Sequence, residues 1–188
     1  MTREPRISPP DGGSLRDLQP RLTSAIDRFY ESTTRLCQLD PIVTELVRLR
    51  CARHHDCRIC KAVRLRDARD SGVDEAMTVK VDSFEESDLD ERLKVALRYT
   101  DAFINGPAEV EAQLAAQLVE HFSPAQIVEL SLDIVKWSTQ KIHVSFGVDV
   151  MQGVDVASGS VTFFEFDETG RPTNFVSSEE ETSFAESD

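Results

Sequence analysis

The 188-residue sequence lacks long apolar runs and has no excess of positive charge. It contains no stretch of about 18 apolar residues, which a membrane-spanning helix would need. Residues 1–20 also lack the apolar stretch of a signal peptide. The formal net charge of −13 argues against nucleic acid as a partner, because phosphate binding requires clustered cations. We therefore predict a cytoplasmic protein that binds neither membranes nor nucleic acids.

Candidate metal ligands are also scarce, since the chain has only four cysteines and four histidines. Cys57 and Cys60 form a C-x-x-C motif, but a zinc site normally adds a second ligand pair. The nearest candidates, His54 and His55, would crowd the ion across a predicted helix break. The sequence therefore predicts no metal and no cofactor, and it favours a redox pair over a zinc site or a buried structural pair. The other two cysteines lie among apolar residues and are expected in the core: Cys37 and Cys51.

Apolar residues recur at three- and four-residue spacing along most of the chain, which is typical of packed helices. Asp40 followed by Pro41 predicts one helix start, because Asp caps well and Pro fits the first turn. Ser123 and Gln126 predict another start through a capping box. The predicted helices cover residues 14–37, 41–54, 57–71, 89–104, 107–121 and 124–150, with a loop and a short helix at 73–87. We therefore predict an all-α helical bundle.

The spacing of apolar residues changes after residue 153. Residues 161–176 contain two short apolar runs around a turn at 167–170, which predicts a small β-hairpin. The final residues are acidic and rich in serine, a composition typical of disorder. We predict three regions: a flexible arm over 1–19, a helical domain over 20–153, and the hairpin with its acidic disordered tail over 154–188.

The C-x-x-C motif lies in a cationic part of this acidic chain. Residues 48–69 contain eight Lys or Arg against two Asp. At a helix start, Cys57 would be exposed at the helix end and Cys60 would lie one turn further in, within disulfide reach. The helix N-terminus and nearby cations would stabilise a thiolate. Arg64 follows Cys60 by four residues, so we expect both on one helix face.

Several motifs together resemble the alkylhydroperoxidase D-like and carboxymuconolactone decarboxylase family. The first motif is Glu45 followed, after eleven intervening residues, by Cys57-Arg58-Ile59-Cys60. The other two are the predicted helical stretches at residues 40–50 and 123–130. The resemblance covers residues 20–150 and implies an all-helical fold that forms trimers or larger homo-oligomers. In the peroxidase branch it implies that Cys60 attacks a peroxide, Cys57 resolves the product and Glu45 relays protons. A dithiol protein or a lipoyl group would then reduce the disulfide.

Arg64 stands where the peroxidase branch has a histidine, and an arginine does not exchange protons near neutral pH. One interpretation is that Arg64 holds the Cys60 thiolate and Glu45, while water, His54 or His55 moves the protons. Arg64 and Glu45 could also form a structural ion pair. The leading prediction is a thiol-dependent peroxidase or dithiol oxidoreductase. The alternatives are a redox-sensing or interaction protein with weak or no peroxidase activity, and a lyase related to the decarboxylase branch, against which the cysteine pair argues.

Overall fold

Helices make up most of the residues that the computed structural model describes, namely 4–7, 15–35, 38–151, 153–157 and 159–178. The helices are α1 (Pro20–Arg35), α2 (Pro41–His54), α3 (Arg58–Ala62), α4 (Arg66–Asp70), α5 (Glu75–Lys80), α6 (Glu91–Asn105), α7 (Ala112–His121), α8 (Pro124–Ser138) and α9 (Lys141–Phe146). Short 3-10 helices cover Leu15–Leu18, Val81–Glu86 and Pro107–Glu109. The strands are β1 (Val63–Leu65), β2 (Thr162–Phe166) and β3 (Pro172–Ser177). The prediction of a helical fold with a small C-terminal β element is confirmed.

The helix starts that the sequence predicted are formed by the expected caps. The Asp40 carboxylate accepts a 3.0 Å hydrogen bond from the Val43 backbone N–H at the start of α2. At the start of α8, Ser123 and Gln126 form both bonds of a capping box. These bonds satisfy backbone donors that a helix start otherwise leaves without a partner. Local chemistry is therefore sufficient to set where the two long core helices begin.

The central helix α2 is buried on several sides. One face contributes Leu46 and Leu49 to a core with the sheet, and the other contributes Val43, Val47 and Cys51 to a core with α6, α7 and α8. A helix that is covered on most sides has apolar residues around its whole circumference. Burial raises the pKa of the Cys51 thiol to about 12, which keeps the thiol protonated and confirms its predicted place in the core.

The prediction of one helix over residues 57–71 is wrong. The chain forms α3, then strand β1, then α4. All three residues of β1 are buried, and β1 pairs in parallel with β2, so that Arg64 aligns with Phe163. Pairing with a strand about a hundred residues away thus overrides the local helical pattern. The helix predicted over 124–150 is also interrupted, because α8 ends at Ser138 and α9 follows after a turn.

The predicted hairpin is confirmed, and it belongs to a larger sheet than expected. Strands β2 and β3 pair antiparallel, and β1 adds a third strand in the order β1-β2-β3. Phe164 of β2 packs in the same core as Leu46 and Leu49 of α2. The hairpin therefore packs on the core of the helices, and the division into three regions stays a prediction.

Three predictions fall wholly or largely on residues outside the described ranges: the flexible arm over 1–19, the core position of Cys37 and the disordered acidic tail beyond residue 178. Among the described helices, none combines the length and the apolar character that crossing a bilayer requires.

Replacing Phe164 by Ala should lower the free energy of unfolding by about 3 kcal/mol, because truncating a buried ring leaves a cavity. Phe164 is 4% exposed and its ring contacts those of Phe166 and Phe175. Urea denaturation followed by circular dichroism measures the change. The control is Val119→Ala on α7, whose 68% exposure predicts a change within about 0.5 kcal/mol. If the two variants were equally stable, the hairpin would not belong to the cooperative core.

Candidate active site

Cys57 and Cys60 form a disulfide with a Cα–Cα distance of 5.3 Å, which is ordinary for such a bond. Cys57 caps α3, and its Sγ accepts a 3.3 Å hydrogen bond from the Cys60 backbone N–H. Cys57 is fully buried, whereas Cys60 is only half-buried. The expectation that the first cysteine is the exposed one is therefore wrong. The reason lies in the backbone before the motif, because Asp56 adopts a left-handed conformation just before Cys57. The Cys57 N–H then donates a 2.9 Å hydrogen bond to the Ala52 carbonyl, which holds Cys57 against the end of α2.

Cys60 lines a cavity of about 510 Å³, which we call the Cys60 cavity. Its wall is rich in aromatic rings from the helices and from the hairpin: Tyr30, Trp137, Phe164, Phe166 and Phe175. It also carries four cationic side chains: Arg16, Arg48, Lys136 and Arg171. The volume lies within the range of pockets that bind small organic molecules. Of the two cysteines, Cys60 is thus the one that faces a space large enough for a substrate.

Arg48 is the buried residue that connects α2 to the cysteine segment, and the sequence analysis assigned it no role. Its guanidinium forms two 2.7 Å hydrogen bonds to the Glu45 carboxylate. It also donates to the Cys60 carbonyl at 2.8 Å and to the Val63 carbonyl at 2.6 Å. Arg48 and Glu45 are both almost completely buried. The expected partner of Glu45, Arg64, is therefore replaced by Arg48, which lies one turn along the same helix.

Arg64 does not share a helix face with Cys60, because it belongs to strand β1. Its guanidinium forms two 2.8 Å hydrogen bonds to Glu75, and it donates to the Lys61 and Val63 carbonyls. Arg64 and Glu45 both line a smaller cavity of about 220 Å³, whose lining does not include either cysteine of the pair. A functional role for Arg64 stays a prediction, and its position removes the geometry on which that prediction was based.

The two histidines near the motif face other partners than the cysteines. His55 Nε2 lies 3.0 Å from the Ser138 hydroxyl, and the His54 ring packs edge-on against His55. Burial, together with Lys141 and His54, lowers the pKa of His55 to about 4, so it is uncharged near neutral pH. Neither histidine lines the Cys60 cavity. Their proposed relay role stays a prediction.

His143 on α9 is the histidine that lines the Cys60 cavity. Burial lowers its pKa, which favours the neutral imidazole near neutral pH. Its Nδ1 is buried and has no hydrogen-bond partner among the described residues. His143 is separated from Cys60 by more than eighty positions in the sequence, so no local spacing could have indicated that they share a cavity.

Asp149 is a second residue that the sequence analysis did not identify. Its side chain is fully buried, and its carboxylate accepts hydrogen bonds from the Arg58 backbone N–H at 2.9 Å and from the Arg58 guanidinium at 2.8 and 3.2 Å. Burial by itself would raise the pKa of Asp149, but the bonds from Arg58 hold it below its usual range. The segment after α9 is thereby fastened to the residue that follows Cys57.

The described residues contain no group of three or more His, Cys, Asp or Glu side chains arranged to hold a metal ion.

Comparison with solved structures shows a protein of similar fold. A protein of unknown function from Agrobacterium tumefaciens, provisionally described as an antioxidant defence protein of the AhpD type, has a crystal structure similar to this one, with a TM-score of 0.63. The match covers 76% of this chain and 95% of that protein at 21% sequence identity. The chain has the AhpD-like fold. The predicted fold is thus confirmed, while its activity stays a prediction.

No model of a known protein family matches the chain, so the wider resemblance to the carboxymuconolactone decarboxylase family is not confirmed. Two uncharacterised proteins from Mycobacterium tuberculosis, from strains CDC 1551 / Oshkosh and H37Rv, are each 40% identical to it over 131 residues. The match covers 68% of this chain, but the chain spans less than half of those relatives, 46% of their length.

Replacing Arg48 by Leu should lower the free energy of unfolding by about 3–5 kcal/mol, because it leaves the Glu45 carboxylate buried without its partner. Denaturant unfolding of the reduced and oxidised protein measures the loss. The control is Arg98→Leu, which breaks ion pairs with Glu85 and Glu91 that are partly open to solvent and should cost less than about 1 kcal/mol. Equal losses for the two variants would contradict a special role for the buried pair.

Proposed function

We propose that the chain is a thiol-dependent peroxidase or dithiol oxidoreductase that uses Cys60 and Cys57 as its redox pair. One observation carries the proposal: Cys60 faces a cavity of about 510 Å³ while it is joined to a fully buried Cys57. The half-buried thiol of Cys60 can meet a substrate in the cavity, and the buried thiol of Cys57 can reach only its neighbour. This asymmetry matches the division of labour between an attacking and a resolving cysteine.

The reaction begins when the Cys60 thiolate attacks the terminal oxygen of a hydroperoxide. A sulfur–oxygen bond forms, the oxygen–oxygen bond breaks, and the organic alkoxide leaves and takes up a proton. The Cys57 thiol then attacks the sulfenic acid on Cys60, which releases water and forms the disulfide. A dithiol reductant restores both thiols by exchange. The peroxide is reduced by two electrons and the cysteine pair is oxidised by two.

The wall of the Cys60 cavity favours an organic hydroperoxide over hydrogen peroxide as the substrate. Trp137, Phe164 and Phe166 surround the space with apolar surface, so a bulky apolar group gains free energy on entering it. Hydrogen peroxide has no such group. We therefore expect a lower KM for bulky organic hydroperoxides than for hydrogen peroxide.

His143 supplies the proton transfer in this proposal. Its neutral imidazole can accept the Cys60 thiol proton and return it to the leaving alkoxide. Neither Glu45 nor Arg64 is suited to this task, because each is held in an ion pair and neither lines the Cys60 cavity. The role of Glu45 in the proposal is to hold Arg48, which in turn binds the Cys60 carbonyl.

The reductant is proposed to be a dithiol protein or a lipoyl group, as the resemblance implies, since either can exchange with the half-buried Cys60. A homo-oligomer of three or more chains is part of the same proposal. The exposed apolar side chains of α8, Val128, Leu132 and Val135, are available to an interface of this kind.

One equivalent of a bulky organic hydroperoxide should consume two thiols of the reduced protein rapidly. The Cys57→Ser variant should instead accumulate a sulfenic acid on Cys60, which a dimedone-type reagent traps and mass spectrometry locates. The Cys60→Ser variant should keep its remaining thiols. The buried Cys51 serves as the internal control, since its protonated thiol should stay unmodified in every case. Full turnover by the Cys60→Ser variant would refute the mechanism.

Replacing His143 by Gln should slow the oxidation of Cys60 by about 100-fold, a typical loss when an acid–base group is removed. Stopped-flow measurement of the thiol reaction over a range of pH gives the rate. His55→Gln is the matched control, because His55 bonds to Ser138 outside the cavity and its loss should change the rate less than about twofold. If both variants reacted at the parent's rate, protons would be moved by another group.

A redox-sensing protein is the second candidate function, and a specific observation favours it. Both oxygens of the Glu45 carboxylate accept hydrogen bonds from Arg48. Arg64 in turn forms its ion pair with Glu75, so the proton relay that the resemblance implied is not assembled at Cys60. A sensor would form the same disulfide slowly and without catalytic turnover. Slow, stoichiometric loss of two thiols in the parent protein would favour this function over the peroxidase.

A further inference from the structure

Five hydrogen bonds fasten the segment after α9 to the turn that carries the two cysteines. Three run from the Arg58 backbone and guanidinium to the buried Asp149 carboxylate. The fourth runs from the Arg58 guanidinium to the Gly147 carbonyl at 3.2 Å, and the fifth from the Ile59 N–H to the Asp149 carbonyl at 3.3 Å. Arg58 and Ile59 are the two residues between the cysteines. The contact therefore fixes the backbone of the redox motif from outside its own helix.

The same contact places one negative and one positive charge beside the disulfide. Asp149 lines the Cys60 cavity together with Cys60, and Arg58 follows Cys57 directly in the chain. The disulfide is neutral, whereas the reduced pair carries negative charge once a thiolate forms. Nearby charge therefore acts mainly on the reduced form: a cation stabilises it and an anion destabilises it. As an ion pair, the two residues largely cancel each other's effect on the thiolate.

We infer that Asp149 is a positioning residue that sets the reduction potential of the Cys57–Cys60 pair by neutralising Arg58. Without the Asp149 carboxylate, the Arg58 charge would favour the thiolate and make the disulfide a stronger oxidant. With the pair intact, the disulfide stays less oxidising and the thiols remain available to attack a substrate. The inference rests on the proposed function in one respect, that the cysteine pair is redox-active.

The test is the reduction potential of the pair in three variants, measured by equilibration with glutathione buffers and quantified by mass spectrometry. Asp149→Asn keeps a hydrogen-bond acceptor but removes the charge, and should shift the equilibrium constant about tenfold toward the dithiol, about 30 mV more oxidising. Arg58→Gln leaves the carboxylate without its cation and should shift the constant in the opposite direction. The double variant should return close to the parent.

The opposite signs separate an electrostatic role from a merely structural one. Both single variants weaken the same contact, so a purely structural role would move the potential in the same direction in each, or leave it unchanged while lowering stability. The control is Asp101→Asn, which breaks a comparable two-bond pair with Arg50 outside the Cys60 cavity and should leave the potential unchanged.

The variants also distinguish failure of this inference from failure of the proposed function. If the parent pair exchanges normally with glutathione and both single variants keep its potential, the inference on Asp149 is overturned while the redox pair stands. If the parent pair does not exchange at all, the proposed function is overturned as well. If Asp149→Asn does not fold, Arg58→Gln alone tests the inference, because the Arg58 side chain is partly exposed and can be replaced. The inference then requires that the reduction potential of this variant is lower than that of the parent.

Discussion

The site depends on the hydrogen bonds of the buried Arg48 guanidinium. The guanidinium is bound within α2 to Glu45 and across to the carbonyls of Cys60 and Val63, so one buried cation connects the central helix, the cysteine turn and the start of β1. A buried ion pair offsets its desolvation only when its hydrogen bonds are nearly all satisfied. Here the carboxylate and two carbonyls accept from it. The position of Cys60 relative to α2 follows from this arrangement.

The C-terminal hairpin forms one wall of the cavity that Cys60 faces. By pairing β2 with β1, the chain brings Phe164 and Phe166 over the space in front of Cys60. The same pairing ends α3 after five residues, so that the cysteine turn cannot continue as a long helix. A short helix contributes little dipole to a thiolate, because the macrodipole grows with aligned peptides. Arg48 and Asp149 instead contact the cysteine segment directly, through the Cys60 carbonyl and through Arg58.

One fold can support several chemistries, so the AhpD-like fold does not by itself select an activity for this chain. What this chain adds is a particular distribution of groups. Cys57 is shielded, Cys60 faces an aromatic cavity, and the cavity contains a histidine that comes from α9. The segment around the motif is rich in Lys and Arg, but most of these side chains form ion pairs with Asp or Glu side chains. Arg58, Lys61 and Arg64, for instance, all form ion pairs.

The sequence by itself determined the helical class, the starts of α2 and α8, the hairpin and the cysteine pair that forms the disulfide, since periodicity, capping and C-x-x-C spacing are all local. The tertiary structure alone decided which cysteine is exposed, which arginine binds Glu45 and which histidine shares the cavity. Arg64 illustrates the difference. Its spacing from Cys60 suits a helix, but hydrogen bonds to a strand about a hundred residues away turned it toward Glu75. Contacts between distant segments carry no signal in local spacing, and here they determined the geometry of the site.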